Sequence, residues 1–173
     1  LPGRWPYVLL IEATELELPD AAEAVAAADM ADARRLWAYR ERMSEAVSTL
    51  GVVHKLDISA PKDSLDELIA AVRAHVLPAV TVVVFGHLAD GNVHIELAGL
   101  DPGDEAIDQA IFEIATGLGG VVSAEHGVGR AKAAWLSMSR SSAEIAQMYA
   151  IKHAFDPGWV LNPGALLRRP PQP

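Results

Sequence analysis

The sequence of 173 residues contains no cysteine. Disulfides, thiolate metal sites and cysteine nucleophiles are therefore excluded, and any metal must be held by nitrogen and oxygen ligands. Basic residues are also few, because 14 Lys and Arg stand against 23 Asp and Glu, which gives a formal net charge of -9. Nucleic-acid binding depends on clustered positive charge, so this balance argues against a nucleic-acid partner.

Long apolar runs are missing as well. The longest, residues 76–85, is interrupted by Pro78 and falls far short of the roughly 20 residues that a membrane-spanning helix needs. We therefore expect no membrane span and a cytoplasmic location. The sequence starts at Leu1 without a methionine or a signal-peptide core, which suggests a piece of a longer chain.

Hydrophobic residues make up 51% of the sequence, enough for the core of one ordinary domain. Period-two and helical patterns predict strands at 7–12, 52–59, 80–88 and 92–97, and helices at 36–47, 63–77, 104–116 and 141–155. Capping boxes are predicted at Asp20 with Glu23, ahead of a further helix, and at Ser141 with Glu144, and Asp63 is the predicted cap of the helix over 63–77. The sequence thus predicts an α+β fold with helices packed on a largely antiparallel sheet. This domain covers residues 1–166, and 167–173 form a Pro-rich tail.

The most informative segment is a predicted hairpin around Asp90 and Gly91. Asp-Gly between β-type runs is typical of a two-residue type I′ turn, which would place His87 directly opposite His94 on one face of the sheet. Two facing histidines can start a metal site that needs at least a third ligand. The alternative is a solvated polar face that happens to carry two histidines.

A third ligand is offered by the Gly-flanked turn that contains Glu125 and His126. Its glycines allow a ligand to approach the backbone closely, so that a carboxylate could bind metal while its neighbour handles a proton. An ordinary strand-to-helix turn is the alternative. A phosphate-binding loop is disfavoured, because the glycine register is incomplete and neither Ser nor Thr follows Lys132.

Three motifs in order resemble the C-terminal domain of FAD-linked oxidases of the vanillyl-alcohol-oxidase type, over about residues 7–166. This group contains D-lactate dehydrogenases, D-2-hydroxyglutarate dehydrogenases and glycolate oxidase subunits. Its Gly-His-x-x-Asp-Gly-Asn-x-His hairpin matches 86–94, and its Gly-Glu-His-Gly-x-Gly turn matches 124–129. Its closing Asp-Pro-x-x-x-Leu-Asn-Pro-Gly matches 156–164.

The resemblance implies a partial, ferredoxin-like cap domain and a role for each matching position. His87, His94 and Glu125 would bind a divalent ion, commonly zinc, and His126 would be the catalytic base. Arg40, Ser44 and Lys55 would bind the substrate carboxylate, and Asn162 would lie near the flavin. For Arg40 the alternative is a solvated helix face. Bidentate pairing explains why an arginine suits a carboxylate.

Glu96 departs from the family, since relatives that act on dicarboxylates carry asparagine there. A carboxylate at this position would repel a second substrate carboxylate, and Glu96 is therefore a candidate extra ligand or specificity element. Ala89 and Ala124 also replace family glycines, without changing a side-chain ligand.

The resemblance further implies a partner, the FAD-binding domain of the same parent chain, because nothing in this sequence resembles a pyrophosphate loop. The parent would oxidise a small 2-hydroxy acid by hydride transfer to FAD. The isolated chain is then expected to fold without turnover, and its uncovered face near Phe85 to favour self-association. The alternatives are a metal-dependent hydrolase and a non-catalytic ligand-binding module.

Overall fold

The structure, a computed structural model, describes residues 5–15 and 23–169. The chain forms two compact units, residues 1–49 and 50–173. Among the described residues, no helix combines the length and the apolar character that crossing a membrane requires.

The first unit contains helices α1 (Met30–Glu41) and α2 (Met43–Ser48). Asp29 caps α1, because its side chain accepts hydrogen bonds from the backbone N–H groups of Ala31 and Asp32. The single helix predicted over 36–47 is wrong, since the two helices are separated at Arg42.

The predicted strand at 7–12 is also wrong. These residues have no partner in the sheet, and a strand is stable only when its backbone groups are paired. Asp20 of the predicted capping box lies outside the described residues, and residues 23–29 are not helical.

The second unit is built on a three-stranded sheet of β1 (Val53–Ser59), β2 (Thr81–His87) and β3 (Asn92–Ala98). The spatial order is β1-β3-β2, and both pairings are antiparallel. Helix α3 (Leu65–His75) connects β1 to β2. These are the two outer strands, and β3 lies between them. Helices α4 (Glu105–Gly117) and α5 (Ser142–Phe155) follow. The α+β class with a largely antiparallel sheet is confirmed.

The core lies on one face of this sheet, where α3 and α4 pack against the strands. Fully buried side chains that alternate along the strands face those of the two helices, as a half-buried antiparallel sheet requires. The cluster includes Leu56, Ile58, Ile95, Leu97, Leu68, Val72, Ile111 and Phe112. The opposite face carries the polar residues of β1 and β3 together with Val83 and Phe85 of β2.

One histidine lies on the helix-facing side of the sheet. His54 is buried on β1, with Nδ1 2.8 Å from Asp108 Oδ1 and Nε2 2.8 Å from the carbonyl of Asp101. Burial alone would lower the pKa of His54, but these two hydrogen bonds and the Asp108 charge raise it above its ordinary value.

The structure confirms one of two predicted helix starts and contradicts the other. The capping box of α5 is confirmed, since Ser141 and Glu144 exchange side-chain and backbone hydrogen bonds. The expected cap at Asp63 is wrong, because residues 62–64 form a 3₁₀ turn and α3 begins only at Leu65. A short 3₁₀ turn ahead of an α-helix is a common way to begin it.

Candidate metal and acid-base site

The hairpin between β2 and β3 has a four-residue connection rather than the predicted two-residue turn. Residues 88–90 form a 3₁₀ turn, and Gly91 follows with a φ of 67°. A Cβ at Gly91 would stand 2.3 Å from the carbonyl oxygen of Ala60, so glycine is required both for its φ and for space.

This longer loop shifts the predicted register by two residues. His87 pairs with Asn92, and His94 pairs with Phe85, so the two histidines are diagonal neighbours rather than directly opposite. Because a two-residue shift preserves the face, both imidazoles still lie on the same side of the sheet. Their ring centroids are 6.4 Å apart.

The segment that carries Glu125 and His126 runs beside the outer strand β1. It is joined to that strand by a bridge between Ser59 and Val121 and by a hydrogen bond from the Ala124 N–H to the Asp57 carbonyl. Gly120 permits this approach, since a Cβ there would lie 1.7 Å from the Ser59 carbonyl oxygen. The segment thus carries Glu125 to the polar face of the sheet.

Glu125 lies between the two histidines of the hairpin. Its Oε1 is 2.9 Å from His87 Nδ1, and its Oε2 is 3.8 Å from His94 Nε2. The hydrogen bond with His87 holds the pKa of Glu125 below its ordinary value. The His126 ring stacks on His94, with centroids 5.0 Å apart and planes inclined by 18°.

These residues offer ligand atoms in two overlapping groups, each with all its atoms within 4.8 Å of one another. One contains Asp57, His94, Glu125 and His126, and the other contains His87, Asp90 and Glu125. Ligands about 2.1 Å from a tetrahedral ion lie about 3.4 Å apart. The distances of 2.9 and 3.8 Å from Glu125 to the two histidines lie on either side of that value.

His87 and His94 fall in different groups, so the predicted set of His87, His94 and Glu125 is not gathered within 4.8 Å. Each group by itself offers the imidazole and carboxylate atoms that a divalent ion such as zinc prefers. Glu125 is the residue common to both groups. The side chains of His87 and Glu125 are 44% and 42% exposed, so both can be reached by an ion from solvent.

Asp57 is a central residue of the site that the sequence pattern did not reveal. It pairs with His94 across the β1-β3 ladder and is 1% exposed. Burial would raise the pKa of Asp57, but hydrogen bonds from the backbone N–H groups of His126 and Glu125 hold it below its ordinary value. The period-two pattern of β1 places Asp57 opposite the core face, but proximity to Glu125 depends on contacts distant in sequence.

Lys55 and Glu96 form a neighbouring pair on the same face of the sheet. They are opposite residues of β1 and β3, with Lys55 Nζ 4.0 Å from Glu96 Oε1. Glu96 is buried, and within the described part of the chain its Oε2 has no hydrogen-bond partner. A buried carboxylate oxygen without a donor can accept a hydrogen bond from a ligand.

Three predicted site residues remain, Arg40, Ser44 and Asn162. Arg40 is half-buried near the end of α1, and Ser44 is exposed in α2, both within the first unit. Asn162 is exposed in the loop after α5, with a φ of 43°. In that loop the Leu166 N–H donates to the Gly129 carbonyl at 2.7 Å, which ties the loop to the segment carrying Glu125.

Comparison with known proteins gives the class. The family model for FAD linked oxidases, C-terminal domain, matches residues 12–166. The chain belongs to this family.

Particular relatives follow from direct sequence similarity. The chain is 35% identical over 149 residues to a probable mitochondrial D-2-hydroxyglutarate dehydrogenase of Oryza sativa subsp. japonica, covering 84% of this chain and 27% of that protein. It is 38% identical over 138 residues to the mitochondrial D-2-hydroxyglutarate dehydrogenase of Bos taurus, covering 78% and 25%. It is 37% identical over 145 residues to the D-2-hydroxyglutarate dehydrogenase of Stutzerimonas stutzeri, covering 77% and 31%.

The chain thus spans between 25% and 31% of the length of these three relatives. The two eukaryotic names carry the word mitochondrial, which gives no support to the expected cytoplasmic location.

Proposed function

We propose that this chain is the substrate-binding part of an FAD-dependent oxidoreductase that oxidises a small 2-hydroxy acid. The observation that carries the proposal is the position of Glu125, whose two carboxylate oxygens face His87 and His94 while His126 stacks beside them. Membership of the FAD linked oxidase family supports the flavin, and the D-2-hydroxyglutarate dehydrogenase relatives support the substrate class. Most of the FAD would be bound by a partner domain of the same parent chain.

In this proposal His87, His94 and Glu125 hold a divalent ion, with zinc the expected metal. When bound, the ion would supply Lewis acidity and the flavin would supply a two-electron acceptor. The chain's own contribution is to hold the hydroxyl group within reach of a base.

His126 is the proposed base. It takes the proton of the substrate hydroxyl as the hydrogen on the adjacent carbon leaves with its electron pair, so that the alcohol carbon becomes a carbonyl. The ring stack with His94 keeps the imidazole plane beside the site. A base acts only when it lies within hydrogen-bond reach of the proton that it removes, so His126 must be held in a fixed orientation beside the substrate hydroxyl.

Lys55, Arg40 and Ser44 are proposed to bind the substrate carboxylate. For Lys55 the support is its place beside the metal-ligand candidates on the polar face. Asn162 is proposed to contact the edge of the flavin. Its support is the hydrogen bond between Leu166 and Gly129, which links its loop to the Glu125 segment.

Glu96 is proposed to select against a second substrate carboxylate. It is buried, and its charge stands across the ladder from Lys55. Like charges placed together in a binding site repel each other, so lactate or glycolate suits this site better than a dicarboxylate.

The test of the activity uses the flavin-containing protein that includes this domain. D-lactate, glycolate or D-2-hydroxyglutarate should bleach the oxidised flavin under anaerobic conditions. His126→Ala should lower the bleaching rate about 100-fold or more while flavin is retained. His75→Ala, which changes an exposed histidine at the end of α3, is the matched control. Flavin that stays oxidised with all three acids, or unchanged bleaching in His126→Ala, would contradict the proposal.

The test of selectivity is Glu96→Asn in the same protein. The ratio of kcat/KM for D-2-hydroxyglutarate over D-lactate should rise about tenfold, because one repulsive charge is removed. Glu105→Gln, an exposed acidic residue at the start of α4, is the control. An unchanged ratio would remove the selectivity role of Glu96 and leave the oxidoreductase proposal standing.

A further inference from the structure

Asp57 makes contacts that join the two parts of the site. Its Oδ2 accepts hydrogen bonds from the backbone N–H of Glu125 at 2.9 Å and of His126 at 2.8 Å. The Ser123 hydroxyl lies 3.3 Å from the same oxygen. Charge-assisted hydrogen bonds of this kind are about twice as strong as neutral ones. The carboxylate thus holds the backbone on which Glu125 and His126 are carried.

Lys132 balances the buried charge of Asp57. It is itself buried, and its Nζ donates to the Asp57 carbonyl at 3.1 Å and lies 3.9 Å from Oδ2. A buried carboxylate is stable only when it is paired and hydrogen-bonded, and here both conditions are met at Oδ2.

The other carboxylate oxygen, Oδ1, faces His94. It lies 3.5 Å from His94 Nδ1, and within the described residues it has no hydrogen-bond partner. His94 Nε2, on the other side of the ring, faces Glu125. A proton on Nδ1 would therefore point at the Asp57 acceptor and leave the Nε2 lone pair toward Glu125.

We propose that Asp57 is a positioning residue that organises both halves of the site. Oδ1 is the carboxylate oxygen nearer to the ring, at 3.5 Å from Nδ1 against 3.8 Å from Nε2 to Glu125, and a slight approach would let it accept the Nδ1–H of His94 and select the tautomer with an unprotonated Nε2. Oδ2 fixes the backbone of Glu125 and His126. The expected effect on metal binding rests on the proposed function. It follows because a metal ligand needs an unprotonated nitrogen, and carboxylate partners commonly set that tautomer.

The test compares the chain with Asp57→Asn, in which size is kept and one acceptor is replaced by an amide donor. If the asparagine oxygen continues to accept from the Glu125 backbone, its NH₂ group faces His94 Nδ1 and favours the opposite tautomer. Nitrogen NMR of the histidine side chains, above neutral pH and without metal, should show Nδ1–H for His94 in the wild type and Nε2–H in Asp57→Asn.

The metal consequence is measured by calorimetry with Zn²⁺ and by the visible spectrum of Co²⁺. Asp57→Asn should weaken binding about 10- to 100-fold, the range expected for loss of a partner that orients a ligand. Asp66→Asn, which changes an exposed acidic residue on α3, should leave both tautomer and affinity unchanged.

The outcomes separate the two proposals. An Nε2–H tautomer in the wild type overturns the role of Asp57, and this measurement needs no variant to fold. A folded Asp57→Asn with wild-type tautomer also overturns it, as does unchanged metal affinity in a wild type that binds metal. An Nδ1–H wild type that switches on substitution but binds no metal supports the positioning role and contradicts the metal function.

Discussion

Two buried histidines on neighbouring strands make an instructive comparison. His54 on β1 faces the helices, and both of its ring nitrogens have partners at 2.8 Å. His94 on β3 faces the polar side, and its two nitrogens stand 3.5 and 3.8 Å from the carboxylates of Asp57 and Glu125. Both rings are largely buried, at 8% and 6% exposure.

The difference teaches how one sheet supports both stability and chemistry. A histidine with two short hydrogen bonds joins β1 to α4 and to the loop that precedes α4, so it contributes to stability. A histidine with longer contacts to two carboxylates has room for an ion or a proton between them. Similar burial therefore does not imply a similar role, and the contact distances distinguish the two.

The largest expected effect is on metal binding. Removing a ligand in Glu125→Gln should weaken Zn²⁺ binding by more than about 100-fold, which is about 2.7 kcal/mol, whereas His54→Ala should leave affinity unchanged. Calorimetry on the chain measures both. Glu125 is 42% exposed, so the variant should fold. Equal losses of Zn²⁺ affinity in the two variants would show that the two faces of the sheet do not differ in metal binding.

The next effect is on stability. His54→Ala should lower the free energy of unfolding by about 2 kcal/mol, because a buried side chain loses two hydrogen bonds and leaves their partners unsatisfied. Urea denaturation followed by circular dichroism measures this change. His153→Ala, at an exposed position in α5, should lie within about 0.5 kcal/mol of the wild type. A loss of that small size in His54→Ala would show that its hydrogen bonds are not important for stability.

A smaller effect should appear as a pH dependence of the same comparison. The pKa of His54 is raised in the folded state above 6.5, so its charged form contributes stability that is fully present below pH 6.5. That contribution is lost as pH rises through the raised folded value. The stability difference between wild type and His54→Ala should therefore shrink with rising pH. A stability difference that grows or stays constant with rising pH would show that the contact with Asp108 does not raise the pKa of His54 in the folded state.

The smallest effect concerns an ion pair outside both histidine sites. The hydrogen bond from Lys152, aided by the Val160 and Leu161 N–H groups, lowers the pKa of Asp156 from 3.8 to about 2. Its stabilising contribution is present above pH 3.8 and is lost as pH falls toward 2. Side-chain NMR titration of Asp156 should give this value. Lys152→Met should raise it toward 3.8, and an unchanged titration would exclude the pair as the cause.

The sequence by itself determined much of the second unit. Alternating apolar residues fixed the strands near 53–59, 81–87 and 92–98 and the face that each residue occupies, because strand periodicity is a local property. The same periodicity put His87 and His94 on one face. The Ser141 and Glu144 capping box fixed the start of α5, since its partners are only three residues apart.

Tertiary structure decided what depends on distant contacts. The strand predicted at 7–12 has the right residue types but no partner in the sheet. The hairpin register depends on the four-residue loop, whose Gly91 fits against Ala60. Asp57 is one acidic residue among 23 in the sequence, and only the return of the chain 68 residues later brings Glu125 against it. Residue type and local spacing are written in the sequence, whereas distances between remote carboxylates and imidazoles arise when the strands and their flanking segment pack together.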